Sequence, residues 1–542
     1  MDYKELADLI FPDVKDISYY EEKYPKRNLK EGAIVTRFAP SPTGFVHLGS
    51  LYQALVARKV ASQTEGVYYL RIEDTDQKRE VENGVENIVT GLHDFGIDAD
   101  EGMLSRTEET GAYGPYIQSS RKEIYHAYIK HLLAQGLAYP CFCSEEELDE
   151  LRKKQEAAGV EPGYWGVWAK CRNYNLEEVA EKIKNGEKYV IRLKSPGRED
   201  RKIKHHDLIK GNVIFPENKL DIVICKSDGL PTYHFAHAVD DHLMHTTTVI
   251  RGDEWLSSVP IHLQLFGMLG NEAPKYAHIS PIMKEEDGNK RKLSKRKDPE
   301  ASVSFYSELG VPKEAVIEYL LNIANSNFEV WRKQNPMAPI SEFELKLDKM
   351  GISGALFDMV KILDISKSVI ARFSAEEVYE RALEWAKEYD KDLLELLNNV
   401  EYSKKVLGIE RNNSNKPRKD ISKWSDVKDN IIYMYERPSE YEFDKISGED
   451  AKKIVEEYIN IYDENDDKDT WFGKIKELAG KLGYASEVKA YKENPDAYPG
   501  HVGDVSTVIR VAATGRRNTP DLYEILKVLG KEEVIERLKL VK

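Results

Sequence analysis

The 542-residue chain is poor in cysteine, has fewer basic than acidic residues, and contains no apolar run long enough to span a bilayer. Four cysteines in this length do not form a disulfide framework. A formal net charge of −15 argues against a protein that coats nucleic acids non-specifically and against one that binds anionic membranes. Local basic patches can still bind one structured RNA. No charged-then-apolar leader pattern is present. We therefore expect a cytoplasmic protein of several domains with no membrane partner.

The chain also lacks a Walker Gly-Lys-Ser/Thr loop and a convincing dinucleotide fingerprint. It contains instead Arg37-Phe-Ala-Pro-Ser-Pro-Thr-Gly-Phe-Val-His47-Leu-Gly-Ser50. A strand pattern before residue 39, two prolines, and helical periodicity from Leu48 predict a strand, a tight loop and a helix. Ligands bind at such loops in α/β sheets, where free N–H groups at the helix start attract phosphates. An ordinary surface turn beside a structural histidine is the alternative.

Within this loop, His47 and Gly49 are the candidate phosphate-binding residues. A neutral imidazole can donate to a phosphate oxygen, and a glycine lets a ligand approach the backbone closely. Two further stretches are dense in polar residues. A predicted buried strand over residues 66–72 ends in Glu73-Asp-Thr-Asp76, and Lys290-Arg-Lys-Leu-Ser-Lys-Arg-Lys-Asp298 is a lysine cluster of the kind that also forms solvated loops.

The stretch over residues 37–50 resembles the HIGH segment of class I aminoacyl-tRNA synthetases, in the form typical of glutamyl-tRNA synthetases. Ser50 departs mildly from the final histidine of the generic motif. Lys292-Leu-Ser-Lys-Arg296 resembles the KMSKS loop, and Arg71-Ile-Glu-Asp-Thr-Asp76 is characteristic of glutamyl and glutaminyl synthetases. The chain is therefore identified as a member of the bacterial-type glutamyl-tRNA synthetases. The resemblance runs from about residue 33 to the end and is weakest between about 380 and 480.

The resemblance implies an α/β Rossmann-like catalytic domain of the class I type, an inserted α+β acceptor-binding domain, and an all-helical C-terminal anticodon-binding region. The predicted boundaries are 1–32 for an N-terminal extension, 33–136 and 226–302 for the two catalytic halves, 137–225 for the insertion, 303–370 for a stem-contact or linker domain, and 371–542 for the helical region. Before residue 33 we expect a helix over residues 2–10 and a disordered or docking arm.

Within the helical region, the periodicity predicts helices over residues 420–435 and 522–540. The basic stretch over residues 411–419 is a candidate for contacts with anticodon bases and phosphates, because arginine can bind both. A solvated loop is the alternative for each of its residues.

The activity implied by the resemblance is ATP-dependent ligation of L-glutamate to the 3′ end of tRNA(Glu) through a glutamyl-adenylate, with tRNA bound before activation. We expect His47 and Lys295 to be catalytic, Mg²⁺ to accompany ATP, and the enzyme to be a monomer. The expected ATP-binding residues are His47, Gly49, Ser50, Lys292, Ser294, Lys295 and Arg296. The expected glutamate-binding residues are Arg37, Ala39, Ser41, Glu73, Tyr233, His237 and Arg251, of which His237 stands where asparagine is often found.

Three of the cysteines have a metal-like spacing within the predicted insertion. Cys141, Cys143 and Cys171 suggest zinc, and some family members bind zinc there. The expected fourth position is Asn173, a poor zinc ligand, although a tyrosine such as Tyr164 can replace it. We therefore favour reduced structural cysteines over zinc, and expect the zinc-free protein to remain folded and active.

Four alternatives differ from this prediction in class or in substrate. A glutaminyl synthetase is disfavoured by Ala39-Pro-Ser41 and by the helical C-terminal half, and a short tRNA-modifying paralogue by the presence of residues 371–542. A small-molecule adenylyltransferase with a helical interaction module would activate glutamate without tRNA. A non-enzymatic RNA-binding protein is disfavoured because both ATP loops are intact. Two questions stay open: whether a glutamine tRNA is also charged, and which arginine faces the glutamate side chain.

Overall fold

The structure is a computed structural model that describes residues 1–76, 78, 80–294, 296–411, 417–443 and 445–541. The chain divides into two compact units. The first is Met1–Phe305 with Leu320–Phe357, and the second is Tyr306–Tyr319 with Asp358–Lys542. Within these described ranges, no helix is both long and apolar enough to cross a membrane. The finer domain boundaries given above stay predictions.

The strands all belong to the first unit in the described chain. They are β1 (Val35–Phe38), β2 (Val67–Leu70), β3 (Glu101–Met103), β4 (Glu109–Thr110), β5 (Ala138–Cys141), β6 (Val190–Leu193), β7 (Lys202–Asp207), β8 (Gly211–Pro216), β9 (Val223–Cys225), β10 (Thr248–Gly252), β11 (Lys275–Ile279), β12 (Met283–Glu286) and β13 (Asn289–Lys292).

The helices from the start of the chain to residue 334 are α1 (Tyr3–Ile10), α2 (Ile17–Lys23), α3 (Leu48–Ser62), α4 (Gly84–Asp94), α5 (Lys122–Ala134), α6 (Glu145–Ala157), α7 (Leu176–Lys184), α8 (Tyr233–Leu243), α9 (Val259–Met268), α10 (Ser304–Leu309), α11 (Lys313–Ala324) and α12 (Asn327–Gln334). The later helices are α13 (Met359–Ile370), α14 (Ala375–Tyr389), α15 (Lys391–Leu396), α16 (Val400–Gly408), α17 (Val427–Tyr435), α18 (Gly448–Ile461), α19 (Lys468–Lys481), α20 (Val488–Glu493), α21 (Val502–Thr514), α22 (Leu522–Leu529) and α23 (Lys531–Lys539).

A parallel sheet forms the centre of the first unit. β1 pairs in parallel with β2, β2 with β3, and β10 with β11. The backbone N–H of Thr247, next to β10, donates to the carbonyl of Val35 in β1 at 3.0 Å. β1 is buried along its whole length, and α3 carries the chain from β1 to β2. This order confirms the predicted strand, loop and helix, and the Rossmann-like fold around them.

Antiparallel elements interrupt the parallel sheet between its two halves. β5, β6 and β9 form one antiparallel sheet, and β7 and β8 form a hairpin. The hairpin meets the parallel sheet where the N–H of Leu208 donates to the carbonyl of Tyr276 in β11 at 2.8 Å. Together with α6 and α7 these strands make the inserted α+β region that was predicted.

The N-terminal extension is a docked arm. It contains α1 and α2, and it buries Leu6, Tyr20 and Tyr24. Its Arg27 guanidinium pairs with Glu101 at 2.8 Å in the first unit. The predicted helix over residues 2–10 is confirmed, and the alternative of a disordered arm is excluded by this packing.

The second unit is helical, and no strand occurs in its described part. Its buried side chains form two hydrophobic clusters, one centred on α18, α19 and α21 and the other on α14, α16 and α17. The predicted helix over 522–540 is broken into α22 and α23 at Gly530, whose φ of +79° is a left-handed backbone angle. The helix predicted over 420–435 begins only at Val427. The all-helical character expected here is confirmed.

Candidate active site

The loop between β1 and α3 places His47 at the N-cap of the helix. The backbone N–H of Ser50 donates to His47 Nδ1 at 3.1 Å. Because Nδ1 accepts, a neutral ring carries its proton on Nε2. A Cβ atom at Gly49 would lie 3.2 Å from two atoms of this ring, which is tighter than ordinary packing. Glycine at position 49 therefore leaves room for the histidine as well as for a ligand.

A cavity of about 520 Å³ opens beside His47. Five of the seven expected ATP-binding residues line it: His47, Gly49, Ser50, Lys292 and Ser294. Arg296 is exposed and is not among the lining residues. Lys295, the second expected catalytic residue, lies outside the described residues.

Asp298 anchors the loop that follows β13. Its carboxylate accepts from the backbone N–H of Ser294 at 2.8 Å and from Arg291 Nη1 at 2.6 Å. The Arg291 hydrogen bonds hold the pKa of Asp298 well below its ordinary value, so this carboxylate stays charged. The loop backbone next to position 295 is thereby tied to β13.

A second cavity, of about 730 Å³, lies on the other side of His47. Six of the seven expected glutamate-binding residues line it: Arg37, Ala39, Ser41, Glu73, Tyr233 and Arg251. Its wall shares His47, Ser50 and Gln53 with the first cavity. The two cavities therefore meet at the first turn and a half of α3.

A buried charge network supports the second cavity. The Asp241 carboxylate lies 2.7 Å from Arg71 Nη1 and 3.3 Å from Arg37 Nε. Burial alone would raise the pKa of Asp241, but the two guanidinium groups outweigh it and hold the pKa well below its ordinary value. Arg71 Nη2 also donates to Glu73 at 2.9 Å, and burial raises the pKa of Glu73 against that attraction. The network fixes Arg37 and Glu73 at the wall of the cavity.

His237 lies behind this wall rather than in it. The side chain is fully buried, with Nε2 3.0 Å from the Tyr276 hydroxyl and Nδ1 2.8 Å from Asp241. Burial lowers the pKa of His237 to about 3, so the ring is neutral. The structure thus assigns this residue to the support of Asp241, whereas the sequence pointed to contact with glutamate.

Gln53 and Trp255 are among the residues lining the second cavity that sequence reasoning missed. Gln53 follows Ser50 by three positions on α3, and this spacing places both on one helix face. The periodicity could therefore have identified Gln53. Trp255 stacks on Tyr233, with ring centroids 4.3 Å apart, but the pair is distant in sequence and no local pattern predicts it.

The predicted cysteine cluster is assembled in the insertion. The sulfur atoms of Cys141, Cys143 and Cys171 all lie within 4.8 Å of one another. The Tyr164 hydroxyl lies 3.3 Å from Cys143 Sγ and accepts from the Cys171 backbone N–H at 3.0 Å. Asn173, the position considered for a fourth ligand, is exposed. The donor set brought together is three sulfurs and one phenol oxygen.

The basic stretch of the second unit is only partly described, because residues 412–416 lie outside the described residues. Arg411 Nη1 donates to the carbonyl of Ile370 at 2.7 Å, and Arg418 is paired with Asp420. Both arginines are less than 10% exposed. These bonds hold the fold of this unit, and Arg418 also lines a small cavity of the same unit, so its contact with the anticodon stays a prediction.

A small cavity of about 290 Å³ in the second unit combines aromatic and basic groups. Tyr433, Arg516, Asn518 and Thr519 are among its lining residues. The Arg516 guanidinium carbon lies 5.1 Å from the centroid of the Tyr433 ring. Planar groups of this kind can stack on a nucleobase.

The parallel sheet, its α+β insertion and the two joined cavities define a class I aminoacyl-tRNA synthetase. The family model described as tRNA synthetases class I (E and Q), catalytic domain, matches residues 33–335. A second model, described as anticodon binding domain, matches residues 497–542.

Whole-chain relatives narrow the class to one family. The chain is 54% identical to a glutamate–tRNA ligase of Clostridium perfringens (strain SM101 / Type A) over 99% of both proteins, and 52% identical to one of Acetivibrio thermocellus over 99% of this chain and 100% of the relative. A crystal structure of a glutamate tRNA ligase from Elizabethkingia meningosepticum, in complex with its amino acid, matches with a TM-score of 0.73 and 30% identity, covering 94% of this chain and 99% of that one. The chain belongs to the glutamate–tRNA ligase family.

The expected enzyme class and reaction are therefore confirmed: the protein is a ligase that joins glutamate to tRNA in translation. The alternatives of a small-molecule adenylyltransferase and a non-enzymatic RNA-binding protein are not supported.

Proposed function

We propose that ATP occupies the 520 Å³ cavity and glutamate the 730 Å³ cavity, so that they meet at His47, Ser50 and Gln53. The wall shared by the two cavities is the main support for this proposal, because the glutamate α-carboxylate must reach the α-phosphate of ATP to form the adenylate. The N-terminal N–H groups of α3 face this junction and favour anionic ligands. His47 Nε2, as the protonated ring nitrogen, supplies a donor for a phosphate oxygen.

Formation of the adenylate requires stabilisation of the negative charge that develops on the phosphates more than it requires an activated nucleophile. The α-carboxylate attacks the α-phosphate and pyrophosphate leaves; the terminal ribose hydroxyl of tRNA then attacks the acyl-adenylate and AMP leaves. Lys292 and Lys295 would neutralise the charge that grows on the leaving phosphates. The described wall of the ATP cavity offers one carboxylate, Glu254, and it lies 3.5 Å from Lys292 Nζ. This wall fits Mg²⁺ held mainly by phosphates and water.

Glutamate would be recognised by charge at three points. Arg37 and Arg251 each offer a guanidinium to one carboxylate, and Glu73 offers a carboxylate to the ammonium group. Tyr233 and Ser41 supply neutral hydrogen bonds. This set supports discrimination against glutamine, whose terminal amide presents a donor to a group that can only donate.

For tRNA, the second unit offers the cavity around Tyr433 and Arg516. We propose that it receives a base of the anticodon loop, because residues 516–519 fall within the anticodon-binding match and combine stacking with hydrogen-bonding groups. We also propose that the insertion binds the acceptor end of tRNA, a role that its place between the two halves of the catalytic sheet supports. We further propose that the enzyme acts as a monomer in the cytoplasm, where tRNA is charged.

A structural zinc ion is also proposed, at Cys141, Cys143, Cys171 and Tyr164. Sulfur ligands with a fourth donor are typical of closed structural zinc sites; here the three sulfurs lie within 4.8 Å of one another and the Tyr164 hydroxyl lies 3.3 Å from Cys143 Sγ. Bound zinc would cross-link β5 to the segment around Cys171 in the insertion. This departs from the interpretation favoured by sequence, because Tyr164 supplies the donor that Asn173 does not.

The test is ATP–pyrophosphate exchange with glutamate, measured with and without purified tRNA(Glu), followed by charging of the same tRNA. We expect exchange that depends on glutamate and tRNA, and glutamyl-tRNA as the product. Full exchange without tRNA would instead support an adenylyltransferase. A Tyr433→Ala variant should raise the KM for tRNA and leave the KM values for ATP and glutamate unchanged.

A further inference from the structure

Arg251 differs from the other buried arginines around the glutamate cavity in having no acidic partner. Arg37, Arg71 and Arg121 each form an ion pair with an aspartate of α8. In the described chain, Arg251 forms no ion pair, although it is only 2% exposed. A buried guanidinium without a counter-ion is costly unless other groups satisfy it. The hydrogen-bond partners of Arg251 therefore show how its buried charge is accommodated.

Two histidines and one carbonyl accept from Arg251. Its Nε donates to His278 Nε2 at 3.1 Å, and its Nη2 lies 3.1 Å from His262 Nδ1 and 3.3 Å from the carbonyl of Trp255. Nη1 has no hydrogen-bond partner in the described structure. Arg251 lines the glutamate cavity, and Nη1, which is buried in the described structure, is its one nitrogen with no protein partner and is therefore the candidate donor to a substrate carboxylate.

The direction of these bonds fixes the protonation of both histidines. A guanidinium only donates, so His278 Nε2 and His262 Nδ1 must be unprotonated. His278 then carries its proton on Nδ1, which donates to Asp207 Oδ2 at 2.5 Å. His262 carries its proton on Nε2, which faces His234 Nδ1 at 2.9 Å. Burial lowers the pKa of His262 and of His278, in agreement with neutral rings.

We infer that His262 and His278 form a neutral clamp that positions Arg251 for a glutamate carboxylate without neutralising its charge. An aspartate in either place would orient the guanidinium equally well but would compete with the substrate for it. The inference rests on the proposed role of Arg251 in glutamate binding. Both histidines are positioning residues, since neither lines the cavity.

Asp207 extends the clamp into the insertion. It ends β7, is fully buried, and accepts from the backbone N–H groups of Ile209 at 2.9 Å and Lys210 at 2.8 Å. These bonds hold its carboxylate toward His278. The hairpin of β7 and β8 thus sets the tautomer of a ring that touches the substrate arginine.

The clamp predicts that asparagine and glutamine substitutions have opposite effects at positions 262 and 278. An asparagine amide replaces a histidine approximately at Nδ1, and a glutamine amide approximately at Nε2. His278→Asn keeps the donor toward Asp207 and loses the acceptor toward Arg251, whereas His278→Gln keeps that acceptor. At position 262 the order reverses, because Nδ1 is the atom that faces Arg251.

The experiment measures the KM for glutamate and for ATP in tRNA-dependent exchange, with thermal unfolding as the folding control. We expect His278→Asn and His262→Gln to raise the glutamate KM about tenfold or more, as for loss of a hydrogen bond to a charged group. His278→Gln and His262→Asn should stay within about threefold of wild type, and the ATP KM should not change. Equal effects of asparagine and glutamine at either position would overturn the clamp.

An Arg251→Gln variant separates this inference from the proposal beneath it. If Arg251→Gln leaves the glutamate KM unchanged, Arg251 does not bind glutamate and both statements fail. If Arg251→Gln raises the KM but the histidine variants show no reversal, only the clamp fails. With the clamp correct, adding His278→Asn to Arg251→Gln should raise the glutamate KM no further.

Discussion

Replacement of the two cavity arginines tests how the enzyme selects glutamate. Arg251→Gln removes a guanidinium whose Nη1 has no protein partner, so the change takes a charged hydrogen bond from the substrate; it also removes the hydrogen bonds to His278, His262 and the Trp255 carbonyl. Such a bond is worth about 1.5–3 kcal/mol, which corresponds to a loss of about 10- to 150-fold in kcat/KM for glutamate. Arg37→Gln should cost as much in activity and more in stability, because Asp241 loses one of its two guanidinium partners.

The assay is tRNA-dependent exchange with glutamate and with glutamine as competing substrates. Wild type should prefer glutamate by roughly 10⁴-fold or more, in the manner of sites built around a polar substrate group. Replacing the arginine that faces the glutamate side chain should reduce the preference for glutamate over glutamine. Replacing the other arginine should lower activity with both amino acids to the same extent. Arg58→Gln is the matched control, since Arg58 pairs with Asp100 and lines neither cavity. The reasoning is refuted if both cavity variants keep the wild-type preference.

Three further outcomes are expected. Lys295→Ala should lower adenylate formation about 100-fold or more and leave tRNA binding intact in a filter-binding assay; near-normal activation would remove Lys295 from the mechanism. Asp241→Asn leaves Arg37 without its buried counter-charge and removes one of the buried counter-charges of Arg71, so it should lower the free energy of unfolding by about 3–5 kcal/mol. Because the folded pKa of Asp241 is depressed, this difference should be full above about pH 5 and shrink below about pH 4; a difference independent of pH would contradict it. Metal analysis should find about one zinc per chain, lost in Cys171→Ser with a lower melting temperature, whereas a zinc-free wild type that is stable and active would support the sequence-based expectation.

Local signals explain which parts of the fold could be predicted. The strand, loop and helix around His47 follow from β-branched residues, two prolines and a periodic helix, all within a short segment. The same reasoning should have divided the helix over 522–540, because Gly530 is visible in the sequence and takes a left-handed backbone angle.

Sequence predicted many of the residues that line the two cavities, but it missed the buried residues that hold them in place. Residues of two motifs line the cavities: the first motif follows β1 of the parallel sheet, and Lys292 ends β13 of the separate β12–β13 hairpin. Arg37 and Asp241 are 204 positions apart, and Arg251 and His278 are 27 apart, so no helix or strand period connects either pair. The assignment of His237 to glutamate placed a supporting residue in the wall, because sequence does not show which side of α8 faces the cavity.

The most direct test of the account is charging of purified tRNA(Glu) by the wild-type chain with radiolabelled glutamate or glutamine. Two joined cavities, one of them lined by the two buried arginines that we propose bind the substrate carboxylates, predict acid-precipitable glutamyl-tRNA, formed with one AMP per glutamate, and no glutaminyl-tRNA above background. Attachment of glutamine at a comparable rate would contradict the assignment of the cavities and of their arginines.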